Sequence, residues 1–254
     1  TLPRRHFNAA KADKLELKGA VGRNLKNVNL TIPVGGLTVI TGVSGSGKST
    51  LIVDTLLPAL KAVVSKDAKA AGAGLPFSEL YGAEYFDQVV SVDQAPIGRS
   101  TRSNAASYTG AFTPIRELFA ETLTARERGY SASRFSFLNH GGRCEACAGE
   151  GVVRVPMQFL PDLYVRCDVC GGARYNRETL ECRWQGKSIA EVLEMTVDEA
   201  RDLFASHPQI MRRMDALADV GLGYIRLGQS TADFSGGEAQ RLKLAAELLS
   251  LIHI

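Results

Sequence analysis

The chain has 254 residues, 45% of them hydrophobic and 22% charged, with a formal net charge of +3 at pH 7. That length supports one or two domains with a real core, and so small a charge neither supports nor excludes a nucleic-acid partner. No apolar run is long enough to span a bilayer, so a fused membrane half is excluded and no membrane partner is expected.

Leu37-Thr-Val-Ile40 is an apolar, β-like run, and Leu51-Ile-Val-Asp-Thr-Leu-Leu57 reads as a helix. Between them stands Gly42-Val43-Ser44-Gly45-Ser46-Gly47-Lys48-Ser49-Thr50, which fits G-x-x-x-x-G-K-[ST] in the strand–loop–helix setting the pattern requires. The glycines let the backbone curl until several N–H groups share one concavity, which with the helix start can hold a phosphate chain. Lys48 can then reach the β- and γ-phosphates, and the Ser49 hydroxyl can ligate Mg²⁺. The bland reading, a flexible Gly/Ser loop, explains neither the spacing nor the flanks. Ala68–Leu75 is small and glycine-rich, a mobile loop by composition. Val89–Val92 is a second β-like run, and Gln94 follows it.

From Arg99 to Arg143 there are seven arginines and three acidic residues, with Tyr108, Tyr130, Phe135 and Phe137 interleaved. Such a stretch suits a phosphate-facing surface, with Arg99, Arg102 and Arg143 as candidate contacts to duplex DNA; a solvated basic face has the same composition. A helix is predicted near Pro114–Thr124. Cys144-Glu-Ala-Cys147 and Cys167-Asp-Val-Cys170 then give C-x₂-C, nineteen residues, C-x₂-C, a spacing suited to one tetrahedral Zn²⁺. Two disulfides are the alternative. They fit poorly with the lack of a visible signal peptide and with a phosphate-loop ATPase, which belongs in a reducing cytosol. A redox C-x-x-C lacks any thioredoxin-like surroundings. Cys182 is left over as a small, half-buried apolar residue without a role.

Helices are predicted near Ile189–Phe204 and Ile210–Val220. Phe234-Ser235-Gly236-Gly237-Glu238 then opens a periodic apolar run, Leu242 to Leu249. Ser-Gly-Gly in that position is a helix start with exposed backbone donors, able to take a γ-phosphate and, alone, an ordinary cap. Beside the phosphate loop it resembles the signature of the ABC-type ATPases. In that superfamily Gln94 would be the Q-loop glutamine that senses Mg²⁺ and the attacking water.

Arg143–Gly151, Phe159–Tyr164, Arg174–Leu180, Val92–Asn104 and Asp219–Gln229 resemble the UvrA family, in order, from about Leu15 to about Leu248. Ser230–Phe234 departs from the commoner Pro-x-x-Thr-Leu of that family. The resemblance implies an α/β fold: an incomplete ABC-type P-loop core with an inserted helical signature domain carrying the Cys₄ zinc module. Residues 1–94 would form the ATP-binding core, 95–233 the inserted DNA-binding region with zinc at about 136–180, and 234–254 the signature helix, cut before Walker B. Leu249–Ile254 departs from the family's polar continuation. One codon choice for it matches a sequencing-library adapter, so it reads either as adapter read-through or as a divergent apolar helix end, and is left out of fold reasoning. The implied function is ATP-dependent damage recognition in nucleotide excision repair, in the cytoplasm, by a DNA-dependent ATPase. It would use ATP, Mg²⁺ and Zn²⁺, with duplex DNA, UvrB and a second UvrA as partners. The loop of one half would clamp against the signature of the other, so Lys48 and Ser235 would not share a nucleotide. Two rivals stay open: a UvrA-like paralogue in drug self-resistance, and a DnaJ-like zinc module, which would carry no phosphate loop.

Overall fold

The computed structural model describes residues 7–65, 74–97, 102–157, 159 and 162–251. Arg99, most of the Ala68–Leu75 loop and the last three residues lie outside these. Among the described residues no helix is long and apolar enough to cross a membrane. The chain divides into two units, Thr1–Ser91 and Val92–Ile254.

In the first unit β1 (Lys14–Gly22) pairs antiparallel with β2 (Leu25–Pro33) on one side and β3 (Glu79–Tyr81) on the other. Alternation along β1 turns Leu15 and Leu17 inward, opposite Ile32 and Leu30, while Lys18 faces out. A bulge after Leu17 breaks the alternation, so that Gly19 and Ala20 are buried in succession. Leu56 and Leu60 pack on this face from the helical run that follows the glycine loop.

That run is α1 (Lys48–Leu51), a π turn (Ile52–Leu56) and α2 (Leu57–Val64). The π turn has a cause in Pro58, which has no N–H to give the carbonyl four residues back. The freed Asp54 carbonyl accepts from Leu75 N–H at 2.9 Å. Leu37–Ile40, expected as a strand, is not one: Leu37 is 93% and Val39 70% exposed. A strand exists only when a neighbour takes its backbone hydrogen bonds, and no described segment lies alongside. Val89–Val92 also forms no strand, for the same reason.

The second unit is mainly helical: α3 (Ala105–Tyr108), α4 (Phe112–Ala120), α5 (Leu123–Glu127), α6 (Arg177–Leu180), α7 (Ile189–Glu194), α8 (Val197–Leu203), α9 (Pro208–Asp219) and α10 (Gly236–Leu251). Two hairpins interrupt it, β4 (Val152–Val155) with β5 (Leu163–Arg166) and β6 (Arg183–Trp184) with β7 (Lys187–Ser188). Its core joins Phe119, Phe135, Ile189, Met214 and Leu217 to Ala239, Leu242 and Ala245 of α10, whose spacing of three lines one helix face. The helix predicted over 189–204 is two helices. Met195 turns extended and Thr196 caps α8. The Pro114–Thr124 prediction likewise resolves into α4 and α5 around Thr122. Cys182, expected to be half-buried, is fully buried in this core.

Candidate nucleotide and metal sites

The glycine loop is shaped by positive φ at Gly42 (147°), Gly45 (78°) and Gly47 (95°). At Gly47 the φ of 95° strains any residue with a Cβ, and that Cβ would also lie 2.9 Å from the end of the Leu25 side chain. Lys48 folds back and donates to the carbonyls of Gly42 (2.8 Å) and Val43 (2.7 Å). Asn24, in the β1–β2 turn, donates to the Gly45 carbonyl at 2.7 Å. That bond fixes the Gly45–Ser46 peptide, whose N–H closes a turn onto Val43 O at 3.3 Å. The helix then starts with Leu51 N–H on Gly47 O at 2.8 Å. Ser49 is exposed and Thr50 buried.

In the second unit Ser235 and Glu238 form a reciprocal cap. Ser235 N–H and Oγ donate to the Glu238 carboxylate, both at 2.8 Å, and Glu238 N–H donates to Ser235 Oγ at 3.3 Å. The Tyr224 hydroxyl donates to the other Glu238 oxygen at 2.7 Å. That bond, with the Ser235 contacts, holds the Glu238 carboxyl below its usual range. Gly236 and Gly237 face open space. Gln94 is exposed, in a loop whose flanking residues Asp93 and Ala95 are bound by Lys243 of α10. Glu238 was legible in the sequence as the fourth residue of Ser-x-x-Glu. Nothing in the sequence pointed to Asn24, Tyr224 or Lys243.

The four cysteines converge: the sulfurs of Cys144, Cys147, Cys167 and Cys170 all lie within 4.8 Å of one another. Cys144 and Cys167 are 4.0 Å apart, and Cys147 and Cys170 3.7 Å. A tetrahedral ion with Zn–S bonds of about 2.3 Å needs sulfurs about 3.8 Å apart, so the set fits Zn²⁺. After each pair the backbone enters positive φ, at Ala148 and Gly149 and at Gly171 and Gly172. At Gly149 a Cβ would sit 1.8 Å from the Phe137 carbonyl oxygen. Gly151 N–H faces the Cys147 sulfur at 3.3 Å. The backbone N–H of Cys170 leads in bringing the Cys167 thiol down to about 7. Burial pushes the Cys170 thiol up to about 12.

The basic stretch is less open than its composition. Arg143 keeps 11% of its side chain exposed, pairing with Glu145 at 3.1 Å and donating to the Leu138 carbonyl at 3.0 Å. Arg102 pairs with Glu150 at 3.0 Å.

No family model matches the chain. UvrABC system protein A of Haemophilus influenzae is 58% identical over 247 residues, covering 97% of this chain. The Vibrio cholerae protein of the same name is 61% identical over 234 residues, covering 92%. A crystal structure of UvrA2 from Deinococcus radiodurans superposes with a TM-score of 0.82 at 50% identity over 98% of this chain. The chain belongs to the UvrA family. It spans about a quarter of the length of these curated relatives, 26% and 25%, and 29% of the UvrA2 chain. The phosphate loop, the Cys₄ cluster and the Ser-Gly-Gly-Glu helix start are therefore features of a UvrA segment with mixed helices and strands.

Proposed function

We propose that this segment serves ATP-dependent damage recognition in nucleotide excision repair, as part of the UvrABC system, in the cytoplasm. The observation that carries the reading is the convergence of four cysteine sulfurs between a formed phosphate loop and a capped Ser-Gly-Gly-Glu helix, in sequence order. The UvrA relatives support the same reading.

Gly42–Thr50 would hold the phosphates of ATP, with Lys48 turning from its own carbonyls to the β- and γ-oxygens and Ser49 ligating Mg²⁺, which neutralises charge on the transferring phosphoryl. Gln94 would sense the metal and water. Ser235, Gly236 and Gly237 would meet a nucleotide held by a facing half, and the working protein would pair with a second UvrA and hand damaged DNA to UvrB. Cys144, Cys147, Cys167 and Cys170 would hold structural Zn²⁺, which fixes the hairpin between them. Arg99, Arg102 and Arg143 would add sequence-independent phosphate contacts, Arg102 and Arg143 by exchanging the carboxylates of Glu150 and Glu145 for phosphate oxygens. Lesions would be read as duplex deformability rather than base identity. In domain terms, 1–94 is the ATP-binding part, 95–233 the inserted DNA-binding part and 234–254 the signature part.

The test is made in a full-length UvrA-family protein carrying this sequence. ATP hydrolysis there should rise with duplex DNA and fall on Lys48→Ala, and damaged duplex should be bound over undamaged. Hydrolysis indifferent to both DNA and Lys48→Ala would refute the reading.

A further inference from the structure

We propose that Lys243 is the positioning residue for Gln94, tying the Q-loop to the signature helix. The inference rests on the reading of Gln94 given above and adds to it the group that sets its place. Lys243 stands on α10 about two turns beyond Ser235. Its ammonium donates to the Ala95 carbonyl at 2.7 Å and the Asp93 carbonyl at 3.4 Å, and it pairs with the Asp93 carboxylate. Gln240, one turn earlier, makes a longer contact to the Val92 carbonyl at 3.5 Å. An ammonium carries three protons and no acceptor. Here all three meet acceptors on the two residues that bracket Gln94.

A solvated surface lysine would not look like this. Lys243 keeps only 16% of its side chain exposed, whereas its partner Asp93 is 70% exposed. As an ion pair with so open a carboxylate the contact adds little stability. Its effect is geometric. Residues 92–95 belong to no helix or strand, and the carbonyls of Val92, Asp93 and Ala95 find donors on α10. The loop is therefore fixed to the helix that begins at the signature. Any shift of α10 when Ser235 takes up a phosphate would carry the backbone of Gln94 with it. Lys243 touches neither nucleotide nor metal in this account, and acts only through the loop.

A double-mutant cycle in a full-length UvrA-family protein carrying this sequence tests it, with Lys243→Met, Gln94→Ala and the pair. Lys243→Met should lower kcat for ATP about tenfold, short of the roughly hundredfold that a full misplacement of the reacting geometry can cost, while KM for ATP changes less than about twofold. Lys243→Arg, which can reach both carbonyls, should restore most of the rate. The double variant should be no slower than Gln94→Ala alone, because residues acting through one another are not additive. Multiplying losses in the cycle, or a normal kcat in Lys243→Met beside a slow Gln94→Ala, would overturn the proposal and leave the role of Gln94 standing. A normal kcat in Gln94→Ala would remove the role of Gln94 and this inference with it. Should Lys243→Met lose zinc or cooperative unfolding, Lys243→Gln, which keeps one donor toward the loop, carries the same cycle.

Discussion

Cys147 shows how much a single side chain can be read from spacing. Two C-x₂-C pairs fix which thiols meet, because no other cysteine stands in that interval. The fold brings those four together and leaves Cys182 in the apolar core. The β4–β5 hairpin between the pairs buries none of its strand residues, and an isolated hairpin is marginal in water. The metal must then supply its order. Cys147→Ser is expected to reduce zinc from one per chain toward zero, and chelation should expose residues 152–166 to rapid hydrogen exchange; metal analysis and exchange mass spectrometry read both. Cys182→Ser should leave the zinc count unchanged. Arg143 shows the opposite case. An arginine in a basic stretch looks the same whether it faces a phosphate or Glu145, and only the structure reveals the Glu145 and Leu138 contacts. Asn24 was equally hidden, being distant in sequence from the loop it braces. Its exposed bond to Gly45 lends the core nothing, so Asn24→Ala should keep the melting temperature and weaken ADP binding by about three- to tenfold, the worth of about one hydrogen bond. Titration with a fluorescent ADP analogue measures it. Unchanged affinity would make Asn24 a bystander.

Among the elements, helix starts were more legible than helix ends. Ser188-x-x-Glu191, Thr196-x-x-Glu199 and Ser235-x-x-Glu238 share one spacing, and the fold closes a reciprocal cap at each. The second of these splits the predicted 189–204 helix, since a cap at Thr196 requires extended backbone where the apolar period alone runs on. Strands were less legible, because pairing depends on a neighbour that a local sequence does not reveal, as at Leu37–Ile40. Ser188 is buried, and Ser188→Ala should cost about 1 kcal/mol, read from the urea midpoint at constant slope. The caps also set an acid limit. Backbone and side-chain bonds from Ser188 and Thr196 depress Glu191 and Glu199, and Tyr224 leads for Glu238. A depressed carboxyl stabilises the fold fully above its unfolded value, about 4.3, and loses that contribution as pH falls through the lower folded value. Stability from this source should therefore stay flat from pH 8 to pH 5 and decline below about pH 4. Thermal melts across that range test it, and a loss already at pH 6 would point to another group.

At the scale of the whole chain, the residues proposed to serve ATP use are divided between the two units. Lys48 lies in the first unit and Ser235 in the second. The 20 residues from Ser235 to Ile254 contain no apolar run ending in Asp-Glu, the pair that ABC-type sites use to hold Mg²⁺ and to position water. Phosphoryl transfer depends almost wholly on positioning and charge stabilisation, so losing both groups should cost several orders of magnitude in rate. Binding asks for less. The loop is formed, with Lys48 Nζ on the carbonyls of Gly42 and Val43 and Ser46 N–H on Val43 O, and needs only an exchange of those partners for phosphate oxygens. This chain of 254 residues is therefore expected to bind ADP and ATP weakly through Gly42–Thr50 and to hydrolyse ATP no faster than background, with or without duplex DNA. Phosphate release by the purified chain, measured beside Lys48→Ala, decides the matter. Equal, near-zero rates with measurable nucleotide binding lost in Lys48→Ala are the expected result. Steady turnover abolished by Lys48→Ala would mean that other residues of this chain supply the missing carboxylates.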